Sequence, residues 1–74
     1  MIVSRYERGN KFLDLEQYHQ KSVDEDGMMQ TDECWECIIY ENEADANEHT
    51  IVEFGNETLA RMFIKQNDWK EQVL

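Results

Sequence analysis

Lys11-Phe12-Leu13-Asp14-Leu15-Glu16-Gln17-Tyr18-His19-Gln20-Lys21-Ser22 sets Phe12, Leu15, His19 and Ser22 on one side at helical spacing. The spacing predicts a short helix over 11–22. Upstream, Ile2 to Tyr6 is short and partly β-branched, and Gly9-Asn10 follows it as a turn signal, so this run reads as a strand. Downstream, Val23 to Asp32, with Asp24-Glu25-Asp26-Gly27 inside it, reads as loop.

From Glu33 to Glu41 the sequence alternates. Trp35, Cys37 and Ile39 share one face, and Glu36, Ile38 and Tyr40 share the other, as in a half-buried strand. Asn42 to Glu48 is a polar, acidic connection of hairpin type. His49 to Phe54 reads as the returning strand, with Val52 and Phe54 inward and Ile51 and Glu53 outward. Gly55 ends that strand, and Asn56 suits the N-cap of a helix that opens with Glu57, an acid favoured by the helix dipole. In this helix Leu59, Met62, Phe63 and Val73 form the expected apolar stripe, with Trp69 at its margin. The expectation is an α+β fold of order β-α-β-β-α. An antiparallel central hairpin joins a three-stranded sheet, and the helices pack on one of its faces.

Seventy-four residues, 41% of them apolar and eight of them aromatic, suffice for a single folded domain spanning 1–74, near the lower size limit for a chain without staples. Two cysteines do not make a secreted-type disulfide framework. The first residues hold no apolar run of signal-peptide length, and no stretch approaches the roughly 20 apolar residues of a membrane span. A cytoplasmic location is expected.

The net charge is −10, from seventeen acids against seven bases. Residues 22–57 hold twelve of the acids and no Lys or Arg, while the segments on either side each carry a net charge of +1. Interspersed signs would be more stable, and solubility alone does not require removing every base from thirty-six consecutive residues. So negative a body repels nucleic acid and anionic membranes. Basic proteins and cations remain as the natural partners.

Several chemistries find little support. Cys34-Trp35-Glu36-Cys37 has only His19 and His49 to complete a zinc set, at no common finger spacing. A redox pair wants positive neighbours, and here Asp32, Glu33 and Glu36 stand close by. On a strand the two thiols face opposite sides, with Cys37 buried. Counting Ser22 as position one, Asp24, Asp26, Gly27 and Glu33 fall where an EF-hand loop places ligands three and five, its tight-turn Gly and its last Glu. The twelve-residue run resembles an EF-hand loop to that extent. Ser22 replaces the leading Asp, and the segment beyond Glu33 alternates like a strand. No metal and no cofactor are assigned. The three glycines lie at element boundaries and build no phosphate-cradling loop. Neither Ser4 nor Ser22 has a His at a nucleophile's spacing, so no catalytic residue is assigned and the chain does not read as an enzyme.

The acidic middle carries the functional expectation. Alternate carboxylates on an extended segment stand about 6.6 Å apart, near the scale of phosphate repeats along one DNA strand. The residues expected to contact a partner are Asp24, Glu25, Asp26, Asp32, Glu33, Glu41, Glu43, Asp45 and Glu48, with Trp35, Tyr40 or Ile51 as apolar anchors. In length, acidity and small α+β pattern the chain resembles the acidic inhibitors encoded by phages and mobile elements, anti-CRISPR proteins and other DNA-mimic blockers of nucleases among them. That resemblance implies a basic nucleic-acid-binding target, a nuclease or CRISPR effector, met in the bacterial host cytoplasm. A second expectation is an antitoxin or immunity protein that neutralises a basic toxin, and a third is a small adaptor that forms a homodimer through an exposed edge strand.

Overall fold

A computed structural model describes residues 1–41 and 47–72. Among these, the order is β1 (Ile2–Arg8), β2 (Lys11–Val23), β3 (Met29–Tyr40), β4 (His49–Phe54), α1 (Glu57–Gln66) and β5 (Lys70–Glu71). The strands form a five-stranded antiparallel sheet in the order β4-β3-β2-β1-β5. The fold is α+β, but it is not β-α-β-β-α on three strands.

The main correction falls on residues 11–22. They continue as a strand, not a helix, and every residue of β2 from Phe12 to Val23 pairs with β3. Two interactions override the local helical spacing. The first is the turn at Gly9-Asn10, where Arg8 pairs with Lys11 and Gly9 adopts φ +61°. A glycine at positive φ in the first central position is what a two-residue hairpin of type II′ needs. The second is burial with period two: Leu13 and Leu15 are fully buried against Ile39 and Cys37. A helix would have set these two leucines about 200° apart around its axis.

Half of the region read as loop, 23–32, is strand as well: Val23 closes β2 and Met29 to Asp32 open β3. The chain reverses over Asp24–Met28, where Gly27 (φ +78°) donates its N–H to the Asp24 carbonyl and the Asp24 N–H bonds to Met28. β3 then begins at Met29. Because β1 pairs only as far as Glu16 and β4 only as far as Trp35, the pairs from Tyr18–Cys34 to Val23–Met29 project as a two-stranded arm. The molecule is accordingly long, 48 × 25 × 21 Å.

Helix α1 follows β4 at one edge of the sheet and delivers the chain to β5 at the other. Ten residues of helix span about 15 Å, close to the width of the strands it must cross. Asn56 caps it as expected, its side chain accepting from the Leu59 N–H at 2.9 Å. The buried stripe differs from the expected one: Ala60 and Ile64 are buried with Phe63 beside them, while Leu59 and Met62 are each 48% exposed. The small Ala60 lets the helix backbone approach the sheet, which turns Leu59 and Met62 outward. Val73 lies outside the described residues. Trp69, beyond the helix, completes a core of Tyr6, Leu13, Leu15, Trp35, Cys37, Ala60 and Ile64. Arg8 locks that end, its guanidinium 4.5 Å from the Trp69 ring and 2.6 Å from the Asn67 carbonyl, a last-turn helix acceptor.

Candidate functional site

The helix and the core lie on the face of Tyr6, Leu13, Leu15, Cys37 and Trp35. Directly opposed residues of an antiparallel pair share a face, so the registers also define the other face, which no described helix covers. Across it run three rows: Ile2–Glu16–Glu36–Glu53, Arg5–Asp14–Ile38–Ile51 and Glu7–Phe12–Tyr40–His49. Tyr18 and Cys34 extend it onto the arm.

The first row places three carboxylates side by side on neighbouring strands. Strands lie about 4.8 Å apart, and like charges directly opposite each other destabilise a sheet. Glu36, in the middle, has its carboxyl held above the usual glutamate range, first by desolvation and then by the charge and hydrogen bonding of Glu16 and the charge of Glu53. The N-terminal ammonium, 3.4 Å from Glu16, offsets part of this. Tyr18, two residues beyond Glu16 on the same face of β2, has its phenol raised, first by desolvation and then by the charge of Glu53.

In the second row the charge is compensated. Arg5 grips Asp14 in a fork, Nε to Oδ1 at 2.6 Å and Nη2 to Oδ2 at 3.1 Å. Asp14 is only 2% exposed, the one buried charged residue among those described. Flanking it are half-buried Phe12, Ile38 and Tyr40 and exposed Ile51. The face therefore combines an acidic row that the N-terminal ammonium offsets only in part with apolar and aromatic neighbours, the mixture that fits a cationic partner with apolar stems.

The nine residues expected to bind a partner are distributed over both ends of the molecule. Asp24, Glu25 and Asp26 sit at the tip of the arm, and Asp32 and Glu33 lie along it on opposite faces, opposite Gln20 and His19. Glu41 and Glu48 lie past the other end of β3, about 40 Å away at the usual strand rise. Glu43 and Asp45 lie outside the described residues. Asp24 is engaged in its turn, accepting from the N–H groups of Asp26 and Met28 and from the Gln30 amide. Glu33 accepts from the Gln17 amide, and Glu41 pairs with Lys11 at 3.1 Å. Glu25, Asp26, Asp32 and Glu48 are exposed. The apolar tip of the arm, Val23, Met28 and Met29, is more than 60% exposed at each residue.

Of the expected anchors, Tyr40 and Ile51 belong to the open face, whereas Trp35 is buried under the helix. Glu16 was hidden by the helical reading of 11–22. Its signal was the two-residue turn at Gly9-Asn10, which fixes the register of β2 against β1. The run 22–33, similar in spacing to an EF-hand loop, is a hairpin flanked by strands on both sides. Among the described residues no group of three or more His, Cys, Asp or Glu is arranged to hold a metal, and no helix is long and apolar enough to cross a membrane. Cys37 faces the core and Cys34 the open side. No family model, curated protein or solved structure matches this chain.

Proposed function

We propose that this domain is an acidic protein inhibitor that occupies the nucleic-acid-binding site of a larger, basic protein, and that it does so with the open face of its sheet. The observation that carries the reading is the row Glu16–Glu36–Glu53. A fold this small has little stability to spare, and three neighbouring acids on the adjacent strands β2, β3 and β4 cost some of it. A cationic cleft relieves that cost on binding, because its Lys and Arg side chains replace the missing counter-charges. Ile38, Tyr40 and Ile51 beside the row supply the apolar contact that holds a complex once attraction has formed it. Three of the fold's seven bases are already paired with other acids: Arg5 with Asp14, Lys11 with Glu41, Arg61 with Glu57. A nuclease or CRISPR effector is the kind of target this chemistry fits, with no direct contact to nucleic acid and no role for a membrane or a cofactor.

The test begins with immobilised domain and a nuclease-treated bacterial lysate, eluted with rising salt. A basic nucleic-acid enzyme is expected to be retained at low salt, to be lost by the triple variant E16Q/E36Q/E53Q, and to be displaced by its own DNA or RNA. Retention that is equal for the triple variant, or a bound enzyme that still takes up nucleic acid, rejects the reading. The second of these outcomes favours an antitoxin-like neutraliser that binds away from the nucleic-acid groove.

A further inference from the structure

We infer that β4 is a self-complementary edge and that two copies of this chain join through it, β4 against β4, into one continuous sheet. The inference rests on the geometry of β4 and not on the inhibitor reading.

β4 is the outer strand on its side of the sheet, and no described strand pairs beyond it. An exposed edge is a template for another strand, which proteins usually block with Lys, Pro, a bulge or a very short strand. His49-Thr50-Ile51-Val52-Glu53-Phe54 contains no Lys or Pro, its register against β3 is unbroken, and it is six residues long. The opposite edge, β5, is two residues long.

The hydrogen-bond phase of β4 follows from its pairing. The Glu41 N–H donates to the Glu48 carbonyl at 3.2 Å, which makes Tyr40–His49 a non-hydrogen-bonded pair. By alternation Ile38–Ile51 and Glu36–Glu53 are the same. The N–H and C=O groups of Ile51 and Glu53 therefore point away from β3, toward the edge.

A two-fold axis just outside β4 at the level of Ile51, perpendicular to the sheet, brings a second β4 alongside, antiparallel and with the same face open. Ile51 then meets Ile51 of the second copy, their outward N–H and C=O groups bonding across the axis. Thr50 stands opposite Val52. On the open face, each Glu53 stands opposite the other copy's His49. This register matches apolar with apolar and acid with base. A shift of the axis to Val52 sets Ile51 opposite Glu53, and a shift to Thr50 sets it opposite His49. A shift by half a residue puts outward groups against inward ones. Ile51 is 49% exposed in the single chain, so it has apolar area to bury.

Two bodies of net charge −10 repel each other, and an edge-to-edge contact of this length falls at the small end of specific interfaces. The dimer is therefore weak and concentration-dependent. It tightens with salt, which screens the overall repulsion. Binding to a basic target shows the opposite salt dependence, so the two associations are separable.

Sedimentation equilibrium of the full chain from low micromolar to millimolar concentration, at about 50 and 500 mM salt, is the test. The expected result is a monomer–dimer equilibrium favoured by salt. Ile51→Arg, which sets two cations against each other on the axis, yields monomer. His49→Glu opposes acid to acid and weakens the dimer by about tenfold or more. The exchange H49E/E53H restores the pairing and returns the dimer to within a few-fold of the original. Circular dichroism checks that each variant is folded. Wild-type protein that stays monomeric at millimolar concentration at both salts overturns the inference. So does a dimer indifferent to Ile51→Arg, or an exchange variant no tighter than His49→Glu alone. None of these outcomes touches the inhibitor reading, which is tested at concentrations where the chain is monomeric.

Discussion

Glu16 and Glu36 stand directly opposite each other on β2 and β3, on the face of the sheet away from the helix. Desolvation of Glu36, followed by the charge of Glu16, raises its pKa above the ordinary glutamate value. A carboxyl whose pKa is raised on folding binds its proton more tightly in the native state. Its stabilising contribution is complete below the ordinary value of about 4.3 and is lost as pH rises through the native one. At neutral pH the fold therefore carries Glu36 ionised at a cost. Glu36→Gln is expected to stabilise the protein at pH 7 by about 0.5–1 kcal/mol. That advantage shrinks as pH falls toward the glutamate range. Urea denaturation of both proteins between pH 7 and 4.5 measures the difference. A constant advantage at all pH values contradicts the assignment.

The neighbouring row predicts an asymmetry between the two halves of one ion pair. Asp14 is buried, whereas the Arg5 side chain is 51% exposed. Arg5→Met leaves a buried carboxylate without its fork and is expected to cost about 2 kcal/mol, below the range for fully buried pairs because Arg5 is half in water. Asp14→Asn keeps an acceptor for the guanidinium and releases the charge toward solvent, so it costs about 1 kcal/mol. Equal losses in chemical denaturation would place the burial of the pair in doubt.

The helix offers a direct check on which side faces the sheet. Ile64 is 4% exposed and packs in the core, while Leu59 is about half exposed. Ile64→Ala is expected to cost about 2–4 kcal/mol, and Leu59→Ala less than about 1 kcal/mol. Ala60→Leu forces the helix off the sheet and costs about 1–3 kcal/mol. If Leu59→Ala proved as damaging as Ile64→Ala in thermal unfolding, the helix would be rotated from the position described.

Much of this architecture is legible in the chain, and the illegible part has a definite cause. β3 and β4 show their alternation openly, since Trp35, Cys37 and Ile39, then Val52 and Phe54, recur every second residue between polar or outward neighbours. Asn56 announces the helix because capping is local. β2 does not announce itself. Its two sides are both partly apolar, Leu13 and Leu15 inward and Phe12 and Tyr18 outward, so period two is blurred and Phe12–Leu15–His19 imitates a helix. Its conformation is decided by pairing with strands on both sides; the Gly9-Asn10 turn signals the pairing with β1, whereas the pairing with β3 is not visible within a short window. The candidate site suffered with it. Glu36 and Glu53 are readable as outward residues, but their row is completed by Glu16, whose place depends on the pairing of β2.

The two cysteines give the last prediction. Cys37 is fully buried between Leu15 and Val52, and desolvation, with a smaller contribution from Glu36, pushes its thiol up to about 11. Only the thiolate reacts with a disulfide reagent, so at pH 8 Cys37 is shielded twice, by packing and by protonation. Cys34 is partly exposed on the arm, its thiol 3.8 Å from the Gln20 side-chain oxygen. Titration of native protein with an aromatic disulfide at pH 8 is expected to release one equivalent quickly, a signal lost in Cys34→Ser. The second equivalent appears only on unfolding, and its rate under native conditions reports how often the strands around Cys37 separate. Rapid release of both equivalents from the native protein would mean that the sheet beneath the helix opens far more readily than its packing implies.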